Sequence, residues 1–326
     1  MKKLASKILL LLLLLAVEYA GLEAVARALY PEASLRLAAK DVLLAQRAET
    51  IEVLLMGNSH AARGIDPADL SRPAFNLAFP ATDLYNCRHL LARVVDRLPR
   101  LRTIIVNLSD HSFAFDAATQ TPALVYQFWE VYRIPPRSSS LVTPLRYAQY
   151  LSRFWLVRGT FLKDFIRHGL RRRPPRDPIL AVETLHDDGF RTTSLSLPPA
   201  VMRQHAAKRV TRHIEFGTDE SARERNRDYL RDFLTLAAEH RLDVVIVTLP
   251  LSTSYRELYP RELSSQFDDD LHQVLADLPD VRYLDFGSTP GLTNDDFKDA
   301  DHLNGRGAAK VTRLLDVALF GDSELE

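Results

Sequence analysis

The stretch Ile51-Glu52-Val53-Leu54-Leu55-Met56-Gly57-Asn58-Ser59-His60 constrains the fold more than any other in this chain. A short aliphatic run closed by a glycine has the make-up of a strand buried on both faces, as strands of a parallel sheet are. Gly57 admits backbone angles that bulkier residues resist, so the chain can turn sharply there. Ser59 then stands just past the carboxyl end of a strand. In open α/β sheets that is where ligands bind, and a helix beginning there offers free N–H groups to developing negative charge.

The rest of the chain repeats the same rhythm. Strand-like runs are expected at 74–77, 101–107, 244–249 and 281–286, separated by segments with helical spacing of apolar residues. A short helix is expected over 65–70, an amphipathic one through Leu91, Val94, Val95 and Leu98, and further helices over 221–240 and 263–278. The pair Ser221 and Glu224 has the spacing of a capping box. A last helix follows 295–307 and carries Val311, Leu314 and Leu315. Alternation of this kind predicts a doubly wound parallel sheet. Between Phe113 and about Glu215 the rhythm breaks, and aromatics such as Tyr147, Tyr150, Phe154 and Trp155 recur at helical spacing, so a largely helical insertion over 116–215 is expected. The run Arg171-Arg172-Arg173-Pro174-Pro175-Arg176 reads as a basic, proline-broken loop, either a solvated linker or an anion-attracting surface.

Composition narrows the function classes. Lys+Arg and Asp+Glu both number 42, so net charge offers no argument for nucleic acid as a partner. The single cysteine, Cys87, excludes an intramolecular disulfide and a cysteine-built zinc site. The amino terminus is more telling. Lys2, Lys3 and Lys7 precede an unbroken apolar run over 8–17, the pattern of a secretory signal or signal anchor. An uncleaved anchor over 1–23 is expected, followed by a helical stalk over 24–49 interrupted at Pro31, although Ala24-Val25-Ala26 and Ala26-Arg27-Ala28 satisfy the small-residue rule for cleavage. The expected layout is therefore a single pass through the cytoplasmic membrane, with a body at 50–115 and 216–326 on its extracytoplasmic side.

A serine hydroxyl is a weak nucleophile at neutral pH and needs a base and donors for the oxyanion that forms. His302, three residues after Asp299 in a segment before the last helix, can serve as base with Asp299 orienting its ring. Ser59 taken alone could equally be a helix N-cap, and Asp295, Asp296, Asp299 and Asp301 could be read as a cation site, though without the spacing of a calcium loop. His60 and His111 stand beside strand ends as further pocket candidates.

Together, Gly57-Asn58-Ser59-His60 and Asp299-Ala300-Asp301-His302 resemble the SGNH/GDSL hydrolase superfamily, and the anchored layout with a long insertion is similar to its cell-envelope branch, which includes alginate and peptidoglycan O-acetylation proteins and the teichoic acid D-alanylation protein. The resemblance spans roughly 50–115 and 220–320. It implies a three-layer α/β/α, flavodoxin-like fold and a metal-free, cofactor-free triad of Ser59, His302 and Asp299. It also implies a cell-envelope glycan or related polymer as partner, and a membrane-bound O-acyltransferase as acyl supplier. The chain departs from the family pattern in three places: Asn58 replaces the usual aspartate, 76–82 lacks the usual oxyanion glycine, and Val106-Asn107-Leu108-Ser109-Asp110 stands where Gly-x-Asn-Asp is common. The oxyanion candidates are therefore the backbone amides of Ser59 and Ala81 and the side chain of Asn107. A non-catalytic assembly or glycan-binding component on the same fold is the alternative reading.

Overall fold

The computed structural model describes residues 2–29, 35–137, 183–216 and 219–321. Chain contacts divide it into two compact units, one of residues 1–38 and 122–178, the other of 39–121 and 179–326. In the first unit, helix α1 (Lys2–Leu29) contains a 21-residue stretch, Ser6–Ala26, with mean hydropathy 2.2, long and apolar enough to cross a membrane or to act as a signal sequence. Helix α2 (Leu35–Arg47) begins in this unit and runs mostly in the second, and α6 (Pro122–Tyr132) belongs to the first. The expected Tyr147–Trp155 helical face and the 171–176 basic loop lie outside the described residues.

The second unit is built on a five-stranded parallel sheet of β1 (Val53–Gly57), β2 (Ala74–Asn76), β3 (Thr103–Asn107), β6 (Asp243–Thr248) and β7 (Arg282–Asp285), in spatial order β2-β1-β3-β6-β7. Each expected strand forms, with its ends moved by a residue or two. Counted along the chain this is a 2-1-3-4-5 order, with the topological switch point between β1 and β3. A second, antiparallel ribbon pairs β4 (Thr184–Leu185) with β5 (Arg191–Thr192).

Strand side chains alternate between two helical layers, as a buried parallel sheet requires. Val53, Leu55, Ile105, Val245 and Val247 share a core with Ala61 and Ala62 of α3 (Ser59–Gly64), Met202 and Ala206 of α7 (Pro199–Phe216), and Val311 and Leu315 of α11 (Gly305–Phe320). The opposite parity, with Leu54, Met56, Ile104, Val106 and Ile246, is equally buried. That side carries α4 (Leu84–Val94), α8 (Glu220–Glu239) and α10 (Arg261–Leu275), which bury Leu91, Phe233 and Leu271. The result is the expected three-layer α/β/α architecture. Short helices α5 (Ala117–Gln120) and α9 (Thr253–Arg256) sit in the connections. One local expectation changes: Asp219, not Ser221, caps α8, its carboxylate accepting from Ala222 N at 3.1 Å. A carboxylate two residues earlier reaches the free amides of the first turn and displaces the serine. The 65–70 segment is a three-residue 3-10 turn, Pro67–Asp69, capped by Asp66.

Candidate active site

The site begins with one backbone requirement. Gly57 closes β1 at φ +123, and a Cβ there would lie 2.7 Å from the carbonyl oxygen of Asn107, its register partner on β3. Only glycine lets β1 end this tightly against β3 while the chain turns into α3. Asn58 caps α3, its side-chain oxygen accepting from His60 N at 2.9 Å while its amide donates to Ser109 Oγ at 3.0 Å. Asparagine therefore performs here the capping that a carboxylate could also supply, and in addition reaches across to the β3 loop. Ser59 is the first residue of the helix.

The loop before α11 brings the other half. A bridge between Phe297 and Leu303 closes it, and Asp299 Oδ1 accepts from the backbone N–H groups of Asp301 and His302 at 3.2 and 3.0 Å. His302 Nδ1 lies 2.8 Å from Asp299 Oδ1, and His302 Nε2 lies 2.8 Å from Ser59 Oγ. The proton placement that satisfies both bonds puts hydrogen on Nδ1, leaving Nε2 to accept from the serine hydroxyl. Burial works to raise Asp299, but the charge and hydrogen bond of His302 outweigh it and hold the carboxyl below its ordinary range. The structure thus brings Ser59, His302 and Asp299 into one hydrogen-bonded line across more than 240 residues of sequence separation.

A cavity of about 160 Å³ opens beside Ser59, lined also by Asn58, Ala81, Thr82, His111, Ser112, Phe115, Thr121, Arg209, Arg212, His213 and Phe216. Ala81 adopts φ +58, an uncommon angle for a residue with a side chain, in the turn after β2. Among the described residues no protein acceptor takes the backbone N–H of Ser59 or of Ala81. Asn107 is not brought to this cavity. Its side-chain amide donates to the Leu108 and Val247 carbonyls at 2.9 and 3.1 Å, so both donors are taken by backbone, the second reaching across to β6. At the end of a strand the side-chain donors of Asn107 find backbone carbonyls, and neither is directed to the cavity beside Ser59.

Of the two neighbouring histidines, His111 faces the cavity, while His60 turns inward, its Nδ1 2.9 Å from Ser109 Oγ. Burial lowers both from the ordinary histidine value, His111 to about 3. Sequence reasoning missed the contribution of α7. Arg209, Arg212, His213 and Phe216 recur at i, i+3, i+4 and i+7, a polar and aromatic stripe that helical spacing alone could have flagged. Arg212 is exposed, with its guanidinium 5.8 Å from the Phe216 ring centroid.

His60, Asp301 and His302 each present one possible metal-ligand atom within 4.8 Å of one another, as do His205, Asp299 and Asp301. Several of those atoms are already engaged. Arg209 donates to Asp301 Oδ2 from Nε at 2.8 Å and from its terminal nitrogen at 2.5 Å, and both nitrogens of His302 hold Ser59 and Asp299. A guanidinium on the shared carboxylate competes directly with a cation there.

Fold and site together define an α/β sheet protein with a serine, a histidine and an aspartate in line at the switch point of its sheet. No family model matches the chain, and no curated protein matches it. Among solved structures, a platelet activating factor protein from Streptococcus pneumonia is similar over 90% of this chain and 96% of its own, with TM-score 0.41 and 9% identity.

Proposed function

We propose that the protein is a membrane-anchored serine esterase or O-acyltransferase of SGNH/GDSL type that acts on an acyl ester of a cell-envelope polysaccharide or related polymer. The observation that carries this reading is the unbroken line from Ser59 Oγ through the His302 ring to Asp299, with 2.8 Å on each side of the imidazole. In this reading Ser59 Oγ attacks the acyl carbon as its proton passes to His302 Nε2, and Asp299 stabilises the imidazolium that forms. The carbonyl oxygen turns toward the open N–H groups of Ser59 and Ala81, which take its negative charge. The imidazolium then protonates the departing alcohol, leaving an acyl-serine. Water or a polymer hydroxyl, activated by His302, takes the acyl group and restores the serine.

The walls of the cavity support a substrate with both apolar and polar parts, because Phe115 and Phe216 line it together with Arg209, Arg212 and the imidazoles of His111 and His213. A membrane-bound acyltransferase as acyl donor partner belongs to the same proposal, as does an extracytoplasmic orientation of the second unit.

The test is turnover of an activated acyl ester by the full chain in detergent. Ser59→Ala and His302→Ala are each expected to lose at least about 10³-fold in kcat/KM. Equal turnover in wild type and both variants would remove the catalytic reading and leave the non-catalytic assembly role.

A further inference from the structure

The motif Asp299-Ala300-Asp301-His302 carries two carboxylates, and the line through Ser59 uses only one of them. Asp301 is 1% exposed. A carboxylate so deeply placed requires partners, since an isolated buried charge costs far more than folding can supply. Its Oδ2 takes the two bonds from Arg209, which reaches it from α7, and its Oδ1 has no hydrogen-bond partner and lies 3.5 Å from His302 Nδ1. Thus the ring nitrogen that faces Asp299 at 2.8 Å faces a second carboxylate just beyond hydrogen-bond distance.

The other groups around Asp301 come from each element packed against it. From α3, His60 places Nε2 at 3.7 Å, and from α7, His213 places Nε2 at 3.9 Å. His213 is fastened by Tyr255 OH of α9 at 2.5 Å and stacks on His111 at 4.1 Å. His205 of α7 accepts from Ala300 N at 3.4 Å on the same loop. Among these neighbours Arg209 is the one permanent cation.

We propose that Asp301 and Arg209 form a buried positioning pair behind His302, Asp301 acting as a second counter-charge for the imidazolium and Arg209 keeping that carboxylate ionised without a proton from the surrounding histidines. This rests on the Ser59 reading above. The chemistry is a single proton movement: as the Ser59 O–H bond breaks and the Oγ–acyl bond forms, the proton goes to His302 Nε2, and the new positive charge is shared between Asp299 and the open Oδ1 of Asp301. Burial alone would raise Asp301; His302, His60 and Arg209 overcome it and hold the carboxyl well below its usual range, while burial keeps His60 and His213 below theirs.

Removing either charge should move the pH dependence in opposite directions. Asp301→Asn deletes the counter-charge and leaves Arg209 facing the imidazolium, so the acid limb of kcat/KM for an activated acyl ester shifts down by about one pH unit. Arg209→Met leaves an uncompensated carboxylate, so the limb shifts up by a similar amount, and a facing histidine takes up a proton that NMR titration of the imidazole signals detects. Arg209→Lys, which keeps the charge, restores the wild-type limb. The double variant Asp301→Asn/Arg209→Met removes both charges and returns the limb toward wild type, which decides the case even if Arg209→Met alone folds poorly. A uniform loss of activity at every pH in both single variants, with the acid limb and histidine titrations unmoved, would overturn the pair. If the wild type has no turnover, the Ser59 reading fails instead, and the histidine titrations of the same variants still decide whether Arg209 keeps Asp301 ionised.

Discussion

At the scale of single residues, the candidate site depends on side chains whose charge or shape cannot be exchanged for a near relative. Asp299→Asn keeps the size of the residue but lets an amide N–H face His302 Nδ1, favouring the wrong tautomer, so kcat should fall by about 10²- to 10⁴-fold with KM little changed. Gly57→Ala places a methyl group 2.7 Å from the Asn107 carbonyl at a backbone angle unsuited to alanine. The expected cost is about 1–3 kcal/mol in chemical denaturation. The buried histidines set the acid sensitivity of the fold. His111 is neutral in the native protein down to about pH 3, whereas an unfolded histidine gains its proton near its ordinary value of about 6.5. Below that value the unfolded state binds more protons than the native one, so stability falls as the pH drops from about 6.5 toward 3, by about 1.4 kcal/mol per pH unit for one such group. Urea denaturation between about pH 6.5 and 5 should show this slope, and His111→Phe should reduce it by one proton's share, leaving the part due to His60 and His213.

At the scale of elements, one buried carboxylate ties three parts of the fold together. Glu183, just before β4, accepts from Arg63 Nε of α3 at 2.7 Å, from Lys298 Nζ of the loop carrying Asp299 at 2.5 Å, and pairs with Arg191 of β5 at 2.6 Å. Burial would raise its carboxyl, but these cations hold it down to about 2. Glu183→Gln leaves three cations around a neutral amide in a site where the side chain is 1% exposed, and the expected loss is about 3–5 kcal/mol, read from denaturant midpoints. Because Lys298 immediately precedes Asp299, ester turnover should fall as well. No sequence motif marks this cluster. Its members are ordinary charged residues scattered between positions 63 and 298, and only the crossing of ribbon, helix and loop gives them a common centre.

At the scale of the molecule, the apolar helix α1 sets how the chain should be handled. If it remains as an anchor, the full chain stays in the membrane pellet after a carbonate wash, and a variant lacking residues 2–29 is released. The strands and the helices between them were legible in the sequence, since periodicity in apolar residues reports directly which faces must leave water, whereas the order of the strands came only from the structure. The strand that ends at Gly57, the serine after it and the Asp299/His302 spacing were legible for the same reason: they are local patterns. Tertiary structure alone decided that Ser59 and His302 meet, that Asn107 spends its amide on the sheet, and that Arg209 lies beneath Asp301. Those outcomes depend on the packing of distant segments, where one ångström separates a hydrogen bond from an empty contact and no local residue pattern records the distance.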